Sequence, residues 1–348
     1  MRILFYFVHP AKFHLFRYTI NHLNVQHDVD IVINSKDVLE ALVIKEGWKY
    51  VNIFPDGRNT AKKPSVFQSG LKFIFTLIKL ELLLIRRKKY DLFVTDDALV
   101  VNGWLRGTPS LIFNDNDIET IRINKILFYF ASGIISPEST YLGSFSKKKI
   151  PIRGNKALAQ LHPRYFSPDN SILKKYGLKE RNYVIIRTAK INATHDIGNG
   201  GIDDISIKKI LEFISNDPEI NVIISSEREL PSELNDLRFI GDPSEFVHLL
   251  TYAKIFIGDS ATMASEASIL GVPSILVNKL GKKCAVNRDL FEHGLQWYYD
   301  SFDDALPMFK KLYSNGNHTL LTESKKYIEG CEDFNQKLIS IITSNYRS

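Results

Sequence analysis

The chain is poor in cysteine. Its two cysteines, Cys284 and Cys331, lie far apart in the sequence and outside any metal-ligand spacing, which excludes a disulfide scaffold and a cysteine-ligated zinc site. Long apolar runs are also missing. The richest segment, residues 71–85, is interrupted by Lys72, Lys79 and Glu81 and falls short of the ~20 apolar residues that span a bilayer. The opening MRILFYFV carries one positive charge and no small-residue cleavage site. It reads as a buried first strand rather than a leader, and a cytosolic location is expected. No zinc-finger, RRM-like or helix-turn-helix signature is present, so nucleic acid is not an expected partner. The formal net charge is nevertheless +6, which favours anionic partners such as nucleotides, phosphorylated lipids or a membrane surface.

What is present is an ordinary globular composition, 44% hydrophobic and 24% charged over 348 residues, long enough for about two domains at ~150 residues each. Strand-like apolar runs fall at 3–8, 30–34, 50–54, 92–95, 110–113 and 133–136. Amphipathic helical patterns at 13–23, 38–46, 66–87 and, more weakly, 118–130 lie between most of them. A second series begins at 183–187 and continues at 222–225 and 254–257. Two successive strand–helix series predict an α/β protein of two doubly wound domains. Pro163, Pro168 and polar neighbours interrupt the periodicity at 162–175, which sets the domains at 1–165 and 166–322. A terminal helix at about 323–343 is expected to pack back on the first domain.

The most informative stretch is 237–277. Within it Gly258-Asp259-Ser260-Ala261-Thr262 follows an apolar strand and opens a helix whose second turn carries Glu266. Small residues at a helix start let backbone N–H groups approach an anion, with the helix dipole assisting. Ser260, Ala261 and Thr262 therefore read as a diphosphate cradle, and Glu266 as an acceptor for a ribose diol. The alternative is a surface glutamate near a helix start. Arg187 ends another strand and offers a planar fork suited to phosphate. His195, in the glycine-rich segment that follows, is a second phosphate donor or part of a plain surface turn. The His195-Asp196 pair lacks the further partners of a zinc site.

Asp115-Asn116-Asp117 has a spacing that two carboxylates can use to share a hard cation with a diphosphate, yet it also reads as a helix-starting turn. Asp96-Asp97 stands at a strand end with the same two readings. No metal is assigned. The segment 67–87 with Lys88-Lys89, together with Lys147-Lys148-Lys149, admits a peripheral membrane contact, against the plainer reading of a core helix with a charged end.

Taken together, His9-Pro10, His14-Leu15-Phe16, Lys156-Ala157-Leu158-Ala159, Leu161-His162-Pro163, Phe166, Arg187-Thr188, residues 193–198 and residues 258–267 resemble the "domain of unknown function 354" family of predicted glycosyltransferases over nearly the whole chain. The 239–295 stretch is similar to lipid-II-type N-acetylglucosaminyltransferases and to UDP-N-acetylglucosamine 2-epimerases. The resemblance implies the GT-B fold, two Rossmann-like domains facing a central cleft. It also implies transfer of a sugar from a nucleotide-diphosphate donor, UDP-linked, to a saccharide or lipid-linked acceptor in surface glycan synthesis at the inner face of the membrane.

By the same resemblance Arg187, His195, Ser260, Ala261, Thr262 and Glu266 bind the donor, and His14 acts as the base on the acceptor hydroxyl. His9, Asp117 and Glu119 are acceptor-side candidates. The nucleotide sugar is a co-substrate and no cofactor is expected. A sugar-nucleotide 2-epimerase is the alternative, for which the sequence alone assigns no carboxylate set in the first domain. A non-catalytic nucleotide-sugar-binding protein is the third reading.

Overall fold

The computed structural model describes residues 1–34, 38–56, 66–121, 124–188, 201–279, 281–315 and 319–344. By its contacts the chain divides into two units, one of Met1–Gln160 with Glu332–Ser348 and one of Leu161–Cys331.

Among the described residues the first unit contains seven strands: β1 (Arg2–Phe7), β2 (Asp28–Ile33), β3 (Tyr50–Asn52), β4 (Leu92–Thr95), β5 (Ser110–Phe113), β6 (Gly133–Pro137) and β7 (Lys149–Ile152). They form one parallel sheet in the order β3-β2-β1-β4-β5-β6-β7. Ile3 to Phe7 of β1 are all fully buried, the signature of a strand covered by helices on both faces. The strand order reverses between β1 and β4, and in such sheets ligands bind at the carboxyl ends of the strands that flank the reversal.

Two elements depart from the sequence pattern. The helix Leu99–Arg106 lies between β4 and β5, in a stretch that shows too short a period to be read as one. β7 begins at Lys149, in what the sequence presents as a basic cluster. Lys148 donates to the carbonyls of Phe128, Tyr129 and Ala131, and Lys149 to those of Glu138 and Thr140, so two of those three cations hold loops together. Among the described residues the weak pattern at 118–130 yields a short turn, Asn124–Ile126, and one helical turn, Leu127–Phe130.

The chain's last segment is two helices rather than one, Leu320–Gly330 and Phe334–Ser344. They are separated where Glu332 N–H donates to the Arg153 carbonyl and Asp333 accepts from Gln336 N–H. The second of them packs on the helix Pro10–Leu23 within the first unit. There Asn335 donates to the Ala159 carbonyl at 2.7 Å and accepts from Thr19 Oγ1 at 3.3 Å.

The second unit holds β8 (Tyr183–Thr188), β9 (Asn221–Ser226), β10 (Ile255–Gly258), β11 (Ser274–Val277) and β12 (Gln296–Tyr299). All are parallel, in the order β12-β11-β10-β8-β9. Its order reverses between β8 and β10. Val184, Ile186, Ile224, Ile255, Ile257, Ile275 and Val277 project from the sheet onto helices that supply Ile207, Ile210 and Phe309. The alternation of strand and helix thus produces the two parallel α/β sheets that it predicts.

Candidate functional site

In the second unit the reversal between β8 and β10 brings two predicted features together. Gly258, the last residue of β10, pairs with Arg187 near the end of β8. A Cβ on Gly258 would lie 2.6 Å from the Arg187 Cβ and 3.0 Å from its carbonyl oxygen, so only glycine lets the two strands approach here. Ser260 caps the helix Ala261–Ile269 with extended backbone (φ −89°, ψ 108°), and its hydroxyl does not bond to the helix. The first-turn N–H groups of any helix lack intrahelical partners, and here they stand at a strand end on the reversal.

The helix seats itself on the sheet through small residues. Ala264, Ser265, Ala267 and Ser268 are buried, and the Ala264 carbonyl accepts 2.8 Å bonds from both Ser268 and Ser274. Glu266 sits half-buried one turn in. Arg187 donates to Ser225 Oγ at 2.8 Å and ion-pairs with Glu227; the neighbouring strand β9 and its exit therefore hold the guanidinium. Gly201, with φ +122°, returns the chain beside the buried Asp259, whose Oδ2 a Cβ there would meet at 3.4 Å. His195 lies outside the described residues.

In the first unit the structure gathers a set that the sequence does not announce. Lys12 comes from the helix after β1, Asp96 from the exit of β4, Asp115 from the exit of β5 and Lys156 from the loop after β7. Lys12 Nζ lies 3.7 Å from Asp115 Oδ1 and 4.4 Å above the Phe113 ring, while Lys156 pairs with Asp115 Oδ2.

The two carboxyls of this set are driven in opposite directions. Burial alone would raise Asp115, but Lys156 and Lys12 outweigh it and hold its carboxyl well below the usual range. Asp96 is pushed up to about 6, by burial first and by Asp97, with Lys12 opposing. Asp96 Oδ1 is shielded from solvent and has no hydrogen-bond partner. Burial likewise lowers Lys12. One ionised and one readily protonated carboxyl beside two lysines form an acid–base pair of the kind that environment alone can create.

His14, His9, Asp117 and Glu119 are the first-domain residues expected from sequence to act. His14 packs edge-to-face on Phe13 at 5.3 Å. Burial, with Arg17 adding, lowers its pKa to about 4, and its Nδ1 is buried without a partner. The helix start presents Lys12 to Asp96 and Asp115, and no contact joins His14 to that set. His9 is exposed and caps the same helix, accepting from Ala11 N–H at 3.1 Å. Asp117 is buried but accepts from Tyr141 N–H at 2.8 Å, tying its loop. Glu119 is exposed.

The carboxylates of Asp115-Asn116-Asp117 thus serve different partners. Among the described residues no three His, Cys, Asp or Glu side chains converge to hold a metal ion. Asp97 accepts from Ala98 N–H and braces its own turn. The signal for Lys12 and Asp96 lies in their position, the one in the first turn of the helix after β1 and the other directly after β4, strands that become neighbours only when the sheet order is known.

Residues 99–329 match the model of a family described as "Protein of unknown function (DUF354)". "Uncharacterized protein MJ0665" of Methanocaldococcus jannaschii is 27% identical over 178 residues, 48% of this chain, and the match spans half the length of that curated relative. Among solved structures, UDP-GlcNAc 2-epimerase from Neisseria meningitidis bound to UDP-GlcNAc aligns with a TM-score of 0.64. The two are 16% identical, with 98% of each chain covered. The glycotransferase of kitacinnamycin aligns with a TM-score of 0.63 at 12% identity and 99% coverage of each chain. At such identities the likeness is one of fold, and that fold is GT-B.

Proposed function

The chain belongs to the DUF354 family, and we propose that this member is a glycosyltransferase acting on a nucleoside-diphosphate sugar, with UDP as the nucleotide. The observation that carries the reading is Asp96, a shielded carboxyl pushed up to about 6 at the strand-order reversal of the first unit. A group titrating near neutrality is the most effective proton acceptor for a hydroxyl.

In the second unit, the helix-start amides of Ala261 and Thr262 receive the diphosphate and Glu266 the ribose hydroxyls, with Arg187 near the end of the neighbouring strand; His195 is a further candidate donor to the diphosphate. Transfer forms the bond from the acceptor oxygen to the anomeric carbon and breaks the bond from that carbon to the diphosphate oxygen; among the first unit's groups, Asp96 is the one fit to take the hydroxyl proton. The departing diphosphate takes the electron pair and is stabilised by oriented amides and cations. The nucleotide sugar is a co-substrate, and the acceptor is a saccharide or a lipid-linked saccharide. Binding of UDP-GlcNAc by a structure of the same fold supports the donor class.

A second reading rests on one further observation. Asp115, held ionised between Lys12 and Lys156, gives the first unit the second carboxylate that epimerisation at the sugar C2 requires, and a solved epimerase shares the fold. One experiment separates the two. The protein is incubated with UDP-GlcNAc in D2O, with and without saccharide acceptors, and followed by NMR. Transfer releases UDP only with an acceptor and leaves C2 protonated. Epimerisation washes deuterium into C2 without one. Binding of UDP with neither outcome would sink both activities and favour a nucleotide-sugar-binding protein.

A further inference from the structure

The helix Val66–Ile85 is apolar on two opposite faces. Its inner face buries Thr76, Leu80 and Leu84 against the first unit's sheet. Its outer face carries Leu71, Ile74, Phe75, Ile78, Leu82 and Ile85, each between 47% and 65% exposed. At ~100° per residue these six fall in one arc of about 100°, centred opposite Leu80. The adjoining helix Leu99–Arg106 adds Trp104 and Leu105, 61% and 64% exposed. It is fixed alongside by Asn102, which donates to the Leu77 carbonyl at 3.2 Å and to Glu81 at 2.9 Å. Single exposed apolar residues are ordinary; a contiguous stripe on this scale marks an interaction surface.

Charge identifies the partner. Immediately beyond Ile85 the chain exposes Arg86, Lys88 and Lys89. Lys88, Lys89 and Arg106, with Leu84, Tyr90, Phe93 and Thr108, line a cavity of about 420 Å³ at that end of the helix. Arg106 is held there by its ion pair with Glu81. The helix dipole accounts for cations at a helix end but not for six apolar residues turned to solvent along its length. An apolar stripe that ends in a cationic cavity matches acyl chains beside phosphate headgroups. Lys72, Lys79 and Glu81 stand on the flanks of the stripe, and among the described residues no helix is long and apolar enough to cross a membrane.

We propose that this face of the first unit docks on an anionic phospholipid bilayer, with the helix Val66–Ile85 lying in the plane of the interface and a headgroup phosphate in the Lys88–Lys89–Arg106 cavity. The proposal does not depend on which reaction the protein catalyses.

The test is co-sedimentation of the full chain with vesicles of phosphatidylcholine alone or mixed with phosphatidylglycerol. The wild type binds the mixed vesicles and is released by salt. Ile78→Glu with Leu82→Glu abolishes binding, and Lys88→Gln with Lys89→Gln weakens it roughly 30-fold, at about one headgroup attraction per cation. All four positions are exposed or rim the cavity, and an unchanged circular dichroism melt verifies each fold; the lysine pair tests the idea should the stripe variant not fold. Equal binding to both vesicle types, or no binding, overturns the proposal. So does a wild-type dimer by light scattering that the stripe variant splits without any vesicle binding, which would assign the face to a second copy of the chain.

Discussion

Gly258 lies against Arg187 so closely that a single added methyl would come within 2.6 Å of the arginine's Cβ. Replacing Gly258 by alanine therefore pushes β10 away from β8 at the point where the helix Ala261–Ile269 begins. Overpacking of this kind costs about 1–3 kcal/mol. Urea unfolding of Gly258→Ala should show a lower midpoint with an unchanged slope, and UDP should bind more weakly because the helix start shifts. An unaltered midpoint would mean that the strands yield without cost.

Asp96 offers a variant in which stability and activity part company. Its folded carboxyl titrates near 6, above the ~3.9 of an unfolded aspartate. The folded state therefore binds the proton more tightly, and this residue's contribution to stability falls as pH rises from about 4 to 6. Above pH 6 the wild type carries a shielded carboxylate that Asp96→Asn removes. The variant should be more stable at pH 8, by on the order of 2 kcal/mol, and should lose at least ~100-fold in turnover. In the wild type kcat/KM should rise through an apparent pKa near 6. A turnover rate that survives the substitution would remove Asp96 from the chemistry.

The strands and helices of both units are legible in the sequence because their periods differ and because the apolar runs are bounded by turn residues. Strand order is not legible, and the first unit's candidate site depends on it. Asp96 and Lys12 stand 84 positions apart in the numbering, and nothing in a linear reading places the exit of β4 beside the exit of β1. His14 stands out by residue type alone, because imidazole chemistry is recognisable without knowledge of the fold. Lys12, two positions earlier, is indistinguishable from a solvated helix lysine until Asp115 is seen 3.7 Å away. The second unit's turn is legible for the opposite reason. All its parts are contiguous, so strand, glycine, cap and Glu266 arrive in one segment.

His14 supplies a stability test of the opposite sign. Its folded pKa of about 4 lies below the ~6.5 of an unfolded histidine. The folded state binds the proton less tightly, so the contribution is complete above about pH 6.5 and drains away as pH falls toward 4. His14→Gln should flatten that part of the stability profile while leaving kcat within a few-fold of wild type. A ~100-fold loss of kcat without a loss of stability would identify His14 as the base.

Asp115→Asn leaves Lys12 and Lys156 facing each other without their shared anion. Breaking a buried ionic set in this way costs about 3–5 kcal/mol. The wild-type contribution is present above about pH 4 and is lost as pH falls through the depressed folded value, so the variant's deficit should shrink in acid. A deficit that does not change with pH would show that packing, not charge, holds the three together.

The helix Phe334–Ser344 belongs to the first unit, although the whole second unit precedes it in the chain. During synthesis, then, residues 1–160 emerge without the layer that Phe334, Leu338 and Ile342, all fully buried, provide over the helix Pro10–Leu23. The second unit can mature on the ribosome as soon as it is free. The unit made first must wait for residues 334–344 to be translated, and a chain cut short after residue 331 would be one whose older half is the unfinished one.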